Sequence, residues 1–240
     1  MARIDNARRL MQTLGRLLDR FNDLRGISVK IGWRGMNKKR RISIDWFVWL
    51  QWASASGLGG ALGFALADAV LNLFSEALYR AMAEIVIFGL LGAAMGTLQW
   101  LVLRRHFSQA GWWVAASTVG GTLVGIVGAS YGSKVQVNLV IVYGLVGIIL
   151  GALQWLVLRR RISRSGWWMV VSPLGWALAV PVVRSLDRLG LMRGLTETIG
   201  LILGFGLAGT VVGIVTGGLL VWLLWQSSGR TTVAAAQEPA

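Results

Sequence analysis

The sequence predicts an all-α polytopic membrane protein: six transmembrane helices in three tandem hairpins, with an amphipathic helix ahead of them. Composition, the length of the uncharged stretches and an internal repeat predict it. Of 240 residues 55% are apolar and 14% charged, against about 25% charged in a soluble domain. Mean hydropathy is +0.62. The formal net charge is nonetheless +14, so the basic residues must lie outside the apolar stretches.

Residues 46–67, 85–103, 107–133, 135–158, 165–183 and 198–229 contain no Asp, Glu, Lys, Arg or His. A helix needs about 20 apolar residues to cross the bilayer core, and each stretch meets or nearly meets that length. The last is the longest and is expected to tilt, to begin in the interface, or to break near Gly204–Gly206. Alternation of apolar and polar residues over about ten positions, the mark of a transmembrane β-strand, is not the pattern here. Pro173 and Pro181 fall inside span five and are candidate kinks.

The repeat is explicit. Gln99-Trp-Leu-Val-Leu-Arg-Arg105 recurs as Gln154-Trp-Leu-Val-Leu-Arg-Arg160. Each copy runs on to Gly-Trp-Trp, at 111–113 and 166–168, and Gly89, Gly92 and Gly96 precede the first as Gly144, Gly147 and Gly151 precede the second. A worn third copy is readable: Ser56-x-x-Gly59-Gly60 matches Ser117-x-x-Gly120-Gly121, and span five keeps Ser172 and Gly175. Span six keeps Gly206, Gly209 and Gly213 but has Thr216–Gly217 where Gln–Trp would fall. Odd spans resemble odd spans and even spans even ones, giving repeats at about 46–105, 106–160 and 161–225. Parallel repeats imply an axis along the membrane normal, here threefold. Gly92/Gly96, Gly147/Gly151 and Gly209/Gly213 form small-xxx-small faces, which allow close backbone approach where lipid offers no hydrophobic drive. They are read as packing faces within the bundle, or as an oligomer interface.

Orientation follows the Lys and Arg count. With the N-terminus inside, the inner segments carry most of the basic residues, including Lys38–Lys39–Arg40–Arg41 just before the first span. Both termini are therefore expected in the cytoplasm, and anionic lipid at that face. Most Trp residues lie near the same ends of the spans. Trp settles at headgroup level, so Trp100, Trp112, Trp113, Trp155, Trp167 and Trp168, with Arg104, Arg105, Arg159 and Arg160, are candidate lipid or interface residues.

Residues 1–45 form a basic cytoplasmic segment. Within it 8–24 reads as an amphipathic helix, since Leu10, Leu14, Leu17, Phe21 and Leu24 follow 4-3-4-3 spacing. It suits an anionic membrane surface or a partner or self-association helix, and not nucleic acid. Residues 25–45 read as a linker, and 226–240 as a disordered tail.

For chemistry the sequence offers little. There is no Cys and a single His, His106, a poor basis for thiolate, haem or metal chemistry. No phosphate loop or hydrolase motif occurs. Neither catalytic, cofactor-binding nor metal-binding residues are expected, and the chain is read as a non-enzyme. Gln99 and Gln154 lie inside the spans as helix–helix hydrogen-bonding groups or ligand contacts. Together with Ser56, Ser117, Thr118 and Ser172 they are also a candidate polar pathway. Asp68, with Asn72, falls near the outer surface.

The hairpin carrying Q-W-L-V-L-R-R to G-W-W at 99–113 and 154–168 resembles multi-spanning membrane proteins of bacteria, photosynthetic ones especially, that have no established activity. The resemblance implies a bacterial plasma membrane or an internal photosynthetic membrane, and no mechanism. The three-hairpin plan is also similar to that of mitochondrial carriers, but their P-x-[DE]-x-x-[KR] signature is missing. The expectation is a non-enzymatic membrane subunit or scaffold packed against lipid and a protein partner; the alternative is a channel or uncoupled transporter along the repeat axis.

Overall fold

A computed structural model describes residues 37–106, 109–131, 138–162 and 164–235. Among them every regular element is helical: α1 (Asn37–Leu71), α2 (Glu76–Leu103), α3 (Trp112–Tyr131), α4 (Leu139–Leu158), α5 (Trp168–Arg188) and α6 (Glu197–Ala235), with a 3₁₀ turn at Ser165–Trp167 before α5. The amphipathic segment 8–24 lies outside the described residues.

Six stretches of these helices are long and apolar enough to cross a membrane: Trp46–Leu71, Ala81–Leu103, Trp112–Ser130, Leu139–Leu158, Ser165–Arg188 and Glu197–Gln226. The chain has the character of an integral membrane protein, and its surface agrees. Large aliphatic side chains point outward along the helices, among them Leu58, Leu62 and Leu66 on α1, Ile141, Leu145 and Ile148 on α4, and Leu174 and Leu178 on α5. A continuous apolar exterior of this kind is unstable in water and stable in lipid.

The helix ends differ from the sequence reading in three places. α1 begins at Asn37, so Lys38–Arg41 belongs to its first turns and not to a linker. No Gly or Pro interrupts the chain between Asn37 and Ser56, and Lys and Arg are good helix formers. α6 runs unbroken past Gly204 and Gly206; glycine costs a helix about 1 kcal/mol, too little to break one held on its neighbours. It also continues from Gln226 to Ala235, where a disordered tail is predicted. Propagating an existing helix is easier than nucleating one, and no Pro intervenes before Pro239.

Local chemistry sets several starts. Asn138 caps α4, its side chain accepting from Val140 N at 3.0 Å. Thr196 Oγ1 accepts from Ile199 N at 3.4 Å before α6, with Glu197 in the first turn. Between α5 and α6 the chain turns through Gly190 and Gly194, both at positive φ.

The six helices close into a ring. A Cβ added to Gly59 would strike α2 at Met95, one on Gly121 would strike α2 at Phe88, and one on Gly120 would meet Leu150 of α4. Gly147 lies against Pro173 of α5, Gly175 against Val212 of α6, and Gly60 of α1 against Phe205 of α6. The last span therefore packs on the first.

The interior is layered. At the end where α3 and α5 begin, an apolar cluster contains Trp52, Val102, Leu103, Trp113, Leu158, Trp168, Leu220 and Leu223. A second cluster holds Met95, Val124, Val146, Leu150, Trp176, Ala179, Ala208 and Val212. Ser56, Gln99, Ser117, Gln154, Ser172 and Thr216 are all buried. On α2 to α6 the polar residue lies between members of the two clusters, as Gln99 does between Met95 and Val102, so the polar groups form one layer across the bundle.

Candidate functional site

The site is this polar layer and the tryptophans that cover it. Three helices each bring one Trp to the axis: Trp52 from α1, Trp113 from the first turn of α3, and Trp168 from the first residue of α5. Their exposures are 0%, 0% and 1%. Ring centroids stand 5.5 Å apart for Trp52–Trp113, 6.0 Å for Trp52–Trp168 and 5.4 Å for Trp113–Trp168, all edge to face. Each such pair contributes about 0.5–1.5 kcal/mol beyond its buried area. A positive-φ residue, Arg164, turns the chain into the 3₁₀ segment that delivers Trp168.

A buried indole N–H needs an acceptor, and the polar layer supplies all three. Trp113 Nε1 donates to Gln99 Oε1 at 2.9 Å, and Gln99 Nε2 donates onward to Ser56 Oγ at 2.9 Å. Trp168 Nε1 donates to Gln154 Oε1 at 2.9 Å, and Gln154 Nε2 to Ser117 Oγ at 3.0 Å. Each glutamine on an even helix thus ties the preceding odd helix to the following one. Trp52 Nε1 donates to Thr216 Oγ1 at 3.0 Å, and that hydroxyl donates to Val212 O at 2.7 Å. Its only proton is then used within α6, so Thr216 makes one bond between helices where each glutamine makes two. Among the described residues no buried side-chain nitrogen or oxygen lacks a partner.

The glycine faces set this layer's spacing. A Cβ on Gly96 would fall 2.7 Å from Ser117 Cβ, one on Gly151 2.9 Å from Ser172 Cβ, and one on Gly213 2.7 Å from Ser56 Cβ. Gly92, Gly147 and Gly209, one turn earlier, lie against the backbone of the same three serines or, for Gly147, also Pro173. The serines are small enough to sit under these faces, and two of them, Ser56 and Ser117, also accept the glutamine amide bonds.

Between the glutamines and the inner apolar cluster is a cavity of about 30 Å³, bordered by Gln99, Ser117, Gln154, Ser172 and Thr216. That is room for a single water. Five of the six candidate pathway residues, Gln99, Gln154, Ser56, Ser117 and Ser172, are thus brought together and buried in one layer capped by the three rings. Thr118 is set apart, donating to Val114 O of its own helix.

The candidate interface residues divide. Trp112 and Trp167 are more than half exposed. Trp100 and Trp155 are half-buried, with Arg104 and Arg159 stacked over their rings at 5.2 Å, and Arg105 and Arg160 are exposed. Trp113 and Trp168 are buried in the bundle, their indole N–H groups donating to Gln99 and Gln154. Asp68 accepts from Asn72 Nδ2 at 3.3 Å near the far end of α1.

Trp52 and Thr216 belong to the layer although neither is among the candidate site residues read from sequence. The signal was present. Trp-x-x-x-Ser occurs at 52–56, 113–117 and 168–172, and Thr216 follows Gly213 at the interval that separates Gln99 from Gly96 and Gln154 from Gly151. No family model matches the chain, and no curated protein or solved structure is significantly similar to it.

Proposed function

We propose that the chain is a non-enzymatic membrane subunit or scaffold, a rigid three-hairpin body that presents its lipid-facing surface and basic end to lipid and to a protein partner. The observation that carries this reading is the closure of the axis: three edge-to-face indoles, each hydrogen-bonded, over a layer with space for one water. A transport route needs groups that exchange partners, whereas here both glutamines and all three indoles are bonded within the layer. Glutamine layers of this kind fix helix register and orientation at modest energetic gain.

The reading includes a threefold repeat axis. It is supported by the matching bonds of Gln99 and Gln154 and by the three glycine pairs set on Ser117, Ser172 and Ser56. It also places the Trp52–Trp113–Trp168 end at the cytoplasmic face of a bacterial plasma or photosynthetic membrane. The described loops at that end carry Arg104, Arg105, Arg159, Arg160, Arg161 and Arg164, and their described side chains include no carboxylate.

The test is reconstitution in liposomes. Ion and small-solute flux is expected to match protein-free vesicles, and crosslinking in native membranes is expected to capture a stoichiometric protein neighbour. The polar layer favours one other reading, a channel or uncoupled transporter. Steady flux that Gln154→Leu abolishes would establish that reading instead.

A further inference from the structure

Beside the closed axis, the basic end carries an open site of different character. A groove of about 240 Å³ lies between residues 109–113 and the C-terminal end of α4. Its floor is apolar, formed by Leu103, Leu156 and Val157; its rim holds Trp112, Arg160 and Arg161. It is eight times the volume of the axial cavity and opens to the surface.

The arginines at this end are not equivalent. Arg104 and Arg159 are spread over Trp100 and Trp155. Arg160 and Arg161 are exposed, and among the described residues their guanidinium groups have no hydrogen bond, ion pair or ring contact. Two adjacent cations at the mouth of an apolar groove, beside a Trp that is 68% exposed, match an amphiphile with an anionic head and a hydrocarbon tail. A guanidinium binds phosphate through paired N–H donors, an exposed indole lies at glycerol-ester depth, and an acyl chain covers the aliphatic floor.

We propose that this groove binds one anionic glycerophospholipid, its phosphate on Arg160 and Arg161 and the start of one chain along Leu156 and Val157. The site rests on the proposed orientation, which puts it at cytoplasmic headgroup level, where anionic lipid is concentrated. It also separates a defined lipid site from general attraction to a basic surface, because Arg104 and Arg105 are as cationic but do not border the groove.

The full-length protein in mild detergent is titrated with dioleoylphosphatidylglycerol or dioleoylphosphatidylcholine, and native mass spectrometry counts bound lipid. One phosphatidylglycerol is expected to bind about tenfold or more tightly than phosphatidylcholine, and R160Q/R161Q to remove that preference, since two charge-assisted contacts are lost. R104Q/R105Q should leave affinity within about twofold, as its charges lie off the site. L156W fills the groove without altering charge and should weaken binding about as much as the Arg160/Arg161 pair. Being half-exposed, Leu156 tolerates a larger side chain, so L156W decides the matter if R160Q/R161Q fails to fold. Equal losses from both arginine pairs, unaltered binding by L156W, or full displacement by millimolar inorganic phosphate would each overturn the proposal. The orientation is judged separately: a periplasm-dependent reporter active at the C-terminus would refute it, while the lipid counts stand or fall on the groove.

Discussion

Gln154 accepts from Trp168 and donates to Ser117, three helices joined through one side chain. Gln154→Leu removes both bonds and leaves a buried indole N–H without its acceptor, so about 1–3 kcal/mol of stability should be lost. Gln99→Leu should cost a similar amount. Thr216→Val also leaves a buried indole N–H, that of Trp52, without its acceptor, but it breaks one bond between helices and not two, so it should fall at the low end of the same range of about 1–3 kcal/mol. Thermal unfolding in detergent, followed by helical circular dichroism, ranks the three; a Thr216→Val variant less stable than Gln154→Leu would refute this account of the layer. These roles were half legible in sequence. That Gln99 and Gln154 lie inside the spans follows from position, but which partner each takes depends on rotation about the helix axes. The same ambiguity applies to Trp113, which is buried while Trp112 is exposed. In Gly-Trp-Trp the two rings differ by about 100° of helical turn, so one ring faces out while its neighbour closes the core, and composition cannot tell them apart.

At the scale of elements, the contrast among glycines is sharp. Gly151 lies where an added Cβ would fall 2.9 Å from Ser172 Cβ, while Gly144, on the same helix two turns earlier, has nothing within 4 Å. Gly151→Ala and more so Gly151→Leu should push α4 from α5 and lower the melting temperature, the alanine variant by about 1–3 kcal/mol through overpacking. Gly144→Ala should be neutral or stabilise by about 0.5–1 kcal/mol through helix propensity alone. Parallel melts check both, and equal effects at the two sites would sink the argument. The number of spans and their positions to within about five residues were readable, because a 20-residue absence of charge is a strong signal. The helix ends were not: α1 and α6 reach into polar sequence, where an existing helix is propagated beyond the apolar stretch. The substitution of Trp176 at the register of Gly60 and Gly121 has a visible counterpart, since Tyr143 packs against it at 6.1 Å, where Gly60 and Gly121 admit helix backbone directly.

For the whole molecule, large apolar side chains cover the exterior, while the interior holds two apolar clusters on either side of one polar layer. Stability in detergent should therefore depend more on interior size-matching than on hydrophobicity. Replacing exposed Leu62 by Ala should shift the melt by no more than about 0.5 kcal/mol, whereas Trp113→Ala, which empties the axis, should cost about 3–5 kcal/mol. A melt insensitive to Trp113→Ala would mean that the indole cluster is incidental. Flux in liposomes reads the same feature functionally: a protein closed by packing remains impermeable, and Trp113→Ala in a variant that still folds is the first place where leakage should arise.

The contact between α1 and α6 also fixes an order in time. Ser56, Gly57 and Gly60 lie on α1, and their partners Gly206, Gly209 and Gly213 are synthesised after four intervening helices, on α6. Until α6 is made, α1 lacks the acceptor that Trp52 takes in the folded bundle and the helix on which its small-residue face packs. The nascent chain is thus marked as unfinished until its sixth helix inserts, and a chain arrested before Thr216 carries that mark to whatever proteolytic surveillance the membrane possesses.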